Sequence, residues 1–188
     1  MTGPAWLRPG DCCLYAGREG LARIVQLKTW QRVSHCETYV GHDHVVAARP
    51  HTGVDYYRFE RAGLCHILRP PVAGFRLPMA LTWFHDRAQG QRYDWWGLLR
   101  FAWRAAIVSQ RIAENKMFCS EFLTRFYRAG GLDPFPGEDA DTISPHRFQR
   151  SVGFAGVWTR GTGTGPAWGG GPCGSPDTRR TGPPSCDR

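Results

Sequence analysis

Phe118-Cys119-Ser120-Glu121-Phe122-Leu123-Thr124-Arg125-Phe126-Tyr127-Arg128-Ala129-Gly130-Gly131 is the stretch on which the fold turns. From Phe122 onward it reads as an amphipathic helix. Phe122, Leu123, Phe126 and Ala129 fall on one face, and Arg125 and Arg128 on the other. Gly130-Gly131 is the stop expected after a helix. Cys119 is thereby placed at or just before the first turn, where unpaired backbone N–H groups and the positive end of the helix dipole favour a thiolate. Against this stands the ordinary fate of a free cysteine, burial as a small inert hydrophobe. A second residue is needed to choose between them.

That residue lies in Ser34-His35-Cys36-Glu37-Thr38-Tyr39-Val40-Gly41. Val33 to Val40 is strand-like, and alternation sets His35, Glu37 and Tyr39 on one face with Ser34, Cys36, Thr38 and Val40 on the other. A cysteine nucleophile works as a thiolate paired with a histidine, which also returns a proton to the leaving group. The two need only meet in space, so their separation in sequence is no objection. A satisfied core histidine is the competing account of His35.

The surrounding chain predicts an α+β plan. Arg8-Pro9-Gly10-Asp11 is a turn, Cys12 to Ala16 a short buried strand, and Gly20 to Lys28 a short helix by its period. Gly41-His42-Asp43 turns the central strand into a return strand over His44 to Ala48. Gly53 to Phe59 and Leu64 to Leu68 add two strands, and Pro70-Pro71 closes this half. Leu77 to Ala88 reads as a helix. Tyr93-Asp94-Trp95-Trp96-Gly97 opens another helical run, and Ser144-Pro145 supplies the cap and first residue of a last short helix. From about Arg160 the chain is Gly, Pro, Ser, Thr and Arg with almost no apolar residues, so residues 159–188 are predicted to be a disordered tail behind a single domain over 1–158.

Composition narrows the function classes. The chain of 188 residues is 41% hydrophobic and 13% aromatic, enough for one sizeable core. Its net charge of +8 suggests an anionic partner, but the arginines are scattered and no nucleic-acid motif is present, so specific nucleic-acid binding is not expected. Seven cysteines without a Cys-x-x-Cys pair argue against a structural zinc and against a secreted disulfide framework. No apolar h-region opens the sequence and no run is long enough to span a membrane. A cytoplasmic protein is the expectation, with phage or prophage origin and release by lysis as the variant. No cofactor is indicated, and nothing in the pattern specifies an oligomeric state.

Five short motifs occur in one order: Arg8-Pro9-Gly10-Asp11, Ser34-His35-x-Glu37-x-Tyr39-Val40-Gly41, Tyr93-Asp94-Trp95-Trp96-Gly97-Leu98-Leu99, Phe118-Cys119-Ser120-Glu121-Phe122 and Ile143-Ser144-Pro145. Over roughly residues 8–154 the chain resembles the circularly permuted, papain-like NlpC-type cysteine hydrolases, in their YiiX-like branch, which are related to the lecithin retinol acyltransferase family. In that group the histidine strand precedes the cysteine helix, as here.

The resemblance implies a permuted papain-like fold, an antiparallel β-meander or small barrel packed on helices. It further implies Cys119 as nucleophile, His35 as base and a peptide or acyl substrate. It also implies a polar orienting residue on the return strand, where this chain has Ala47 and Ala48. Glu37, two along from His35 on the same face, is the first substitute, ahead of His44, His51 and Glu121. Loss of an orienter in a serine triad costs ~10⁴ in turnover, so a silent binding module on the same fold is the rival reading. A basic polyanion binder is the other. The Cys119 backbone N–H is the expected oxyanion donor.

His42-x-His44 beside Cys36 lacks a fourth ligand and reads as an exposed hairpin tip rather than a metal site. Trp95, Trp96, Phe101 and Trp103 read as core aromatics, or as one wall of an apolar groove.

Overall fold

The computed structural model describes residues 6–17, 32–94 and 116–160. The helix expected over Gly20–Lys28, the helical run and aromatic cluster beyond Asp94, and the tail beyond Arg160 lie outside the described residues.

Six strands build one antiparallel sheet: β1 (Cys12–Tyr15), β2 (His35–Gly41), β3 (His44–Arg49), β4 (Gly53–Arg58), β5 (Leu64–Arg69) and β8 (Ala155–Thr159). Their spatial order is β4-β3-β2-β1-β5-β8. Among the described residues no ladder joins β4 to β8, so the strands form an open sheet rather than the expected small barrel. β8 carries no turn signal or clear alternation, and the sequence offers no strand there. Thr159 pairs with His66 in the β5–β8 ladder, so this strand runs through the domain boundary placed after residue 158.

Alternation sorts the sheet into two apolar faces. Cys12, Leu14, Cys36, Val46, Ala48, Val54 and Leu68 pack beneath the helices. Cys13, Tyr15, Tyr39, Val45, Leu64 and Ile67 form a second cluster with Leu7 and Trp158 on the other side.

The helix predicted from Phe122 starts at Cys119 and runs to Ala129 (α2). Phe122, Leu123, Phe126 and Tyr127 are fully buried, as the period requires. The helix ends in a Schellman motif. The Gly131 N–H reaches the Arg128 carbonyl at 3.0 Å, and the Leu132 N–H reaches the Tyr127 carbonyl at 3.0 Å. Tyr127 ties three elements together: its hydroxyl donates to the Gly10 carbonyl at 3.0 Å and accepts from Thr38 Oγ1 at 3.1 Å.

The expected helix over Leu77–Ala88 is split. It is α-helical over Leu77–Trp83 (α1) and winds into a π-turn over Phe84–Ala88, closed by the Gln89 N–H on the Phe84 carbonyl at 2.8 Å. The segment predicted after Ser144-Pro145 is a 3₁₀ stretch, Pro145–Arg150, preceded by a 3₁₀ turn over Ala140–Thr142. Tyr93 itself is extended, and the run expected after it lies outside the described residues. Arg92–Tyr93 (β6) pairs in parallel with Lys116–Met117 (β7).

Asp11, expected as a turn residue, is fully buried. It accepts from the Arg8 N–H at 2.9 Å and from both ends of the Arg69 guanidinium at 2.7 and 2.8 Å. The motif's glycine is equally constrained: Gly10 has φ +98°, and a Cβ there would meet Phe75 at 3.1 Å. No helix among the described residues is long and apolar enough to cross a membrane.

Candidate functional site

The site forms where β7 runs into α2. Phe118 is extended (φ −97°, ψ 168°), and the first helical hydrogen bond runs from the Phe122 N–H to the Phe118 carbonyl at 2.9 Å. The first-turn N–H groups are therefore left without helical partners. Cys119 is the first residue of this turn. Ser120 anchors it by donating to the Ile143 carbonyl at 2.6 Å, which accounts for the Ile143-Ser144-Pro145 motif: it braces the helix start.

The Cys119 sulfur is 2% exposed, but its surroundings are polar. It receives hydrogen bonds from the Cys36 thiol, the Cys36 backbone N–H and the His35 ring, and the Tyr93 hydroxyl also reaches it. The Cys36 thiol lowers the Cys119 pKa most. Burial opposes this, and the charge and hydrogen bond of His35 add to the lowering, leaving Cys119 well below the usual thiol range.

His35 feels the reciprocal effect. Burial works against its charge, but the Cys119 thiolate and the hydrogen bonds to Cys119 and Glu37 outweigh it and raise the imidazole to about 10. The two shifts run in opposite directions, which is the pattern that favours a thiolate beside an imidazolium.

His35 Nε2 lies 2.9 Å from Glu37 Oε1. That leaves Nδ1 as the ring nitrogen for the sulfur. Alternation sets His35 and Glu37 on the sheet face opposite α2. The pair forms because His35 is the first residue of β2, at the sheet's end, where its ring can turn toward the helix mouth.

Glu37 is 1% exposed, and Oε1 also accepts from Arg49 Nε at 2.7 Å and Nη2 at 2.7 Å. Burial alone would raise this carboxyl, but His35 and Arg49 hold it below the usual carboxylate range.

The structure brings Cys119, His35 and Glu37 into one chain of contacts and keeps the weaker orienting candidates away. His44 is exposed at the hairpin, its Nδ1 2.7 Å from the His42 carbonyl, and His51 is exposed in the next turn. Glu121 faces Arg125, whose Nη2 is 2.8 Å from Oε1.

Sequence reasoning missed Arg49, Tyr93 and the role of Cys36. Arg49 had a signal: it follows Ala47 by two on the return strand and so shares its face. Thr38 pairs with Val46, and carrying that register inward sets Glu37 opposite Ala47. An alanine there leaves room for the Arg49 guanidinium to reach Glu37. Tyr93 had none, because the parallel β6–β7 pairing that sets it beside Met117, two residues before Cys119, is a tertiary fact.

Part of the chain's positive charge is neutralised locally among the described residues. Arg49, Arg69, Arg125, Arg128 and Arg147 each contact a carboxylate within 2.9 Å.

The chain was compared with known proteins. No family model matches it, and no curated protein matches it. Among solved structures it is similar to one described as the metalloprotein YiiX from Escherichia coli. The TM-score is 0.58 at 17% identity, covering 82% of this chain and 99% of that one. The fold is YiiX-like. At this identity the likeness extends to the fold alone. Among the described residues of this YiiX-like chain, no group of three or more His, Cys, Asp or Glu side chains could hold a metal ion.

Proposed function

We propose that this chain is a thiol hydrolase of permuted papain-like architecture, related to the NlpC-type hydrolases, that cleaves an amide or ester through an acyl-enzyme. The observation that carries this is the placement of the His35 ring between the Cys119 sulfur and the Glu37 carboxylate.

Each group has a task. The Cys119 thiolate attacks the carbonyl carbon, forming the C–S bond and an oxyanion. The Cys119 backbone N–H at the helix start donates to that oxygen, and the Tyr93 hydroxyl is the second donor. The His35 imidazolium gives its proton to the leaving amine or alcohol. It then takes one from water as that water resolves the thioester. Glu37 fixes the ring's orientation and stabilises its charge, and Arg49 fixes Glu37.

With Glu37 in the orienting place, Ala47 and Ala48 no longer argue for a silent module. The word metalloprotein belongs to the E. coli neighbour. No donor set for an ion is present among the described residues, and no step here runs through one. Cell-wall peptide and lipid acyl esters are the two substrate classes that suit this chemistry. Because the sulfur is 2% exposed, its walls must part for either to enter.

The test is an acyl-transfer trap. The full chain is mixed with a panel of activated esters and peptide anilides, quenched in acid and mapped by mass spectrometry. An acyl group on Cys119, absent in His35→Ala and Cys119→Ser, is the expected result. No acylation of Cys119 by any member of the panel sinks the proposal.

A further inference from the structure

Cys36 is an unusual neighbour for a nucleophile. It follows His35 on β2 and points from the opposite sheet face into the core beneath α2. Its thiol donates to the Cys119 sulfur and its backbone N–H points at the same atom. Two cysteines from facing elements, one at a strand start and one at a helix start, thus lie together in one buried cluster. Cys36 is fully buried.

We propose that Cys36 is a resolving thiol for Cys119, so that mild oxidation closes a reversible Cys36–Cys119 disulfide that switches the site off and shields the nucleophile from irreversible damage. This rests on Cys119 being a thiolate, as in the function proposed above.

The chemistry balances in two steps. The Cys119 thiolate attacks hydrogen peroxide: an S–O bond forms, the O–O bond breaks, and the departing hydroxide leaves as water with the His35 proton. Cys36 then attacks the sulfenic sulfur: an S–S bond forms, the S–O bond breaks, and the second water carries away the Cys36 proton. Two thiols are oxidised and one peroxide is reduced to two waters.

The two cysteines differ in the way such a pair requires. Cys119 is held as thiolate. Burial first, and then its hydrogen bond to Cys119, keep Cys36 protonated, so only one of them meets the oxidant. Burial also selects the oxidant. A sulfur 2% exposed admits a molecule the size of peroxide far more readily than glutathione disulfide. Cys12 packs in the same cluster and is the competing partner.

Trypsin separates the two residues cleanly, because it does not cut Arg49-Pro50 and the peptides Val33–Arg58 and Met117–Arg125 each contain one cysteine. The reduced full chain is treated with hydrogen peroxide, blocked with iodoacetamide and digested without reductant. We expect these two peptides cross-linked, two hydrogens lighter than their sum, and separated by dithiothreitol with full recovery of the Cys119 thiol. In Cys36→Ala, Cys119 should instead carry two or three oxygens that dithiothreitol does not remove. Cys36→Ser, closer in volume, serves if the alanine variant does not fold, and the wild-type peptide map decides if neither does.

Sulfinic acid at Cys119 in the wild type without the cross-link overturns the proposal, as does a bridge from Cys119 to Cys12 or to any other cysteine. Iodoacetamide labelling of untreated protein at neutral pH separates the two failures. Rapid labelling of Cys119 without the cross-link rejects the resolving role alone. A Cys119 that neither labels nor oxidises removes the thiolate, and both proposals with it.

Discussion

His35 Nε2 and Glu37 Oε1 are 2.9 Å apart on a single strand, two residues from one another, so the proposed base and its proposed orienting carboxylate come from the same β-strand. The orienter implied by resemblance would have come from the strand alongside. Here the carboxylate has moved to β2, Ala47 leaves the space, and Arg49 from β3 neutralises it. Substitution of Glu37 by Gln keeps the shape and removes the charge. Turnover on any substrate found should fall by about 10²–10⁴-fold, with KM little changed. A variant as active as the wild type would remove Glu37 from the mechanism.

Arg49 is, after His35, the counter-charge to the buried Glu37 carboxylate. Its removal strands Glu37, and breaking a buried pair from one side typically costs about 3–5 kcal/mol. Arg49→Ala should lose stability on that order by urea denaturation. The double variant Arg49→Ala with Glu37→Ala should recover part of it, because no unpaired charge then remains. A double variant no more stable than Arg49→Ala would contradict the pairing.

The opposed shifts of Cys119 and His35 set a pH signature. His35 is raised from 6.5 to about 10, so its contribution is fully present below 6.5 and is lost as pH rises through 10. Cys119 is depressed below 9.0, so its contribution is present above 9.0 and is lost as pH falls through its folded value. Between 6.5 and 9.0 the folded pair and the unfolded pair hold the same number of protons, so the pair adds no slope there. Relative to the double variant His35→Gln with Cys119→Ser, which removes both titrating groups, wild-type stability should be flat across this window and fall on both sides. A steady slope through neutral pH would mean that no ion pair exists.

Glu121 carries the opposite sign. Burial drives its carboxyl up, Arg125 pulls it down and Asp141 adds to the rise, leaving it at about 7. It is 3% exposed, and Oε2 has no hydrogen-bond partner. An acid whose folded pKa is raised contributes fully below its unfolded value of 4.5 and loses that contribution as pH rises through 7. Glu121→Gln should therefore gain stability over the wild type between pH 5 and pH 8, by about 1–3 kcal/mol. A gain that does not grow with pH would refute this.

Gly53 controls Tyr93 from a distance. It has φ +87°, and a Cβ there would collide with the Gln91 carbonyl. That carbonyl accepts the Val54 N–H at 2.9 Å and precedes β6, which bears Tyr93. Gly53→Ala should cost about 2–4 kcal/mol and displace the Tyr93 segment. Wild-type thermal stability in this variant would show that the segment is not held there.

The sequence by itself determined the elements whose causes are local. The 3.6-residue period fixed the buried face of α2, Gly130-Gly131 fixed its end, and alternation set Glu37 on the His35 face. Those signals survive in one dimension because they concern residues within a turn or a strand of each other. Tertiary structure alone decided what depends on register and crossing. It turned the strand-end ring of His35 onto Cys119, set Tyr93 beside the helix mouth through a parallel pairing, brought Arg49 across to Glu37, packed Cys36 in one cluster with Cys119 and added β8 at the sheet's edge. Such contacts join residues far apart in the chain, and their energy exists only once the sheet and the helix have packed, so no local pattern announces them.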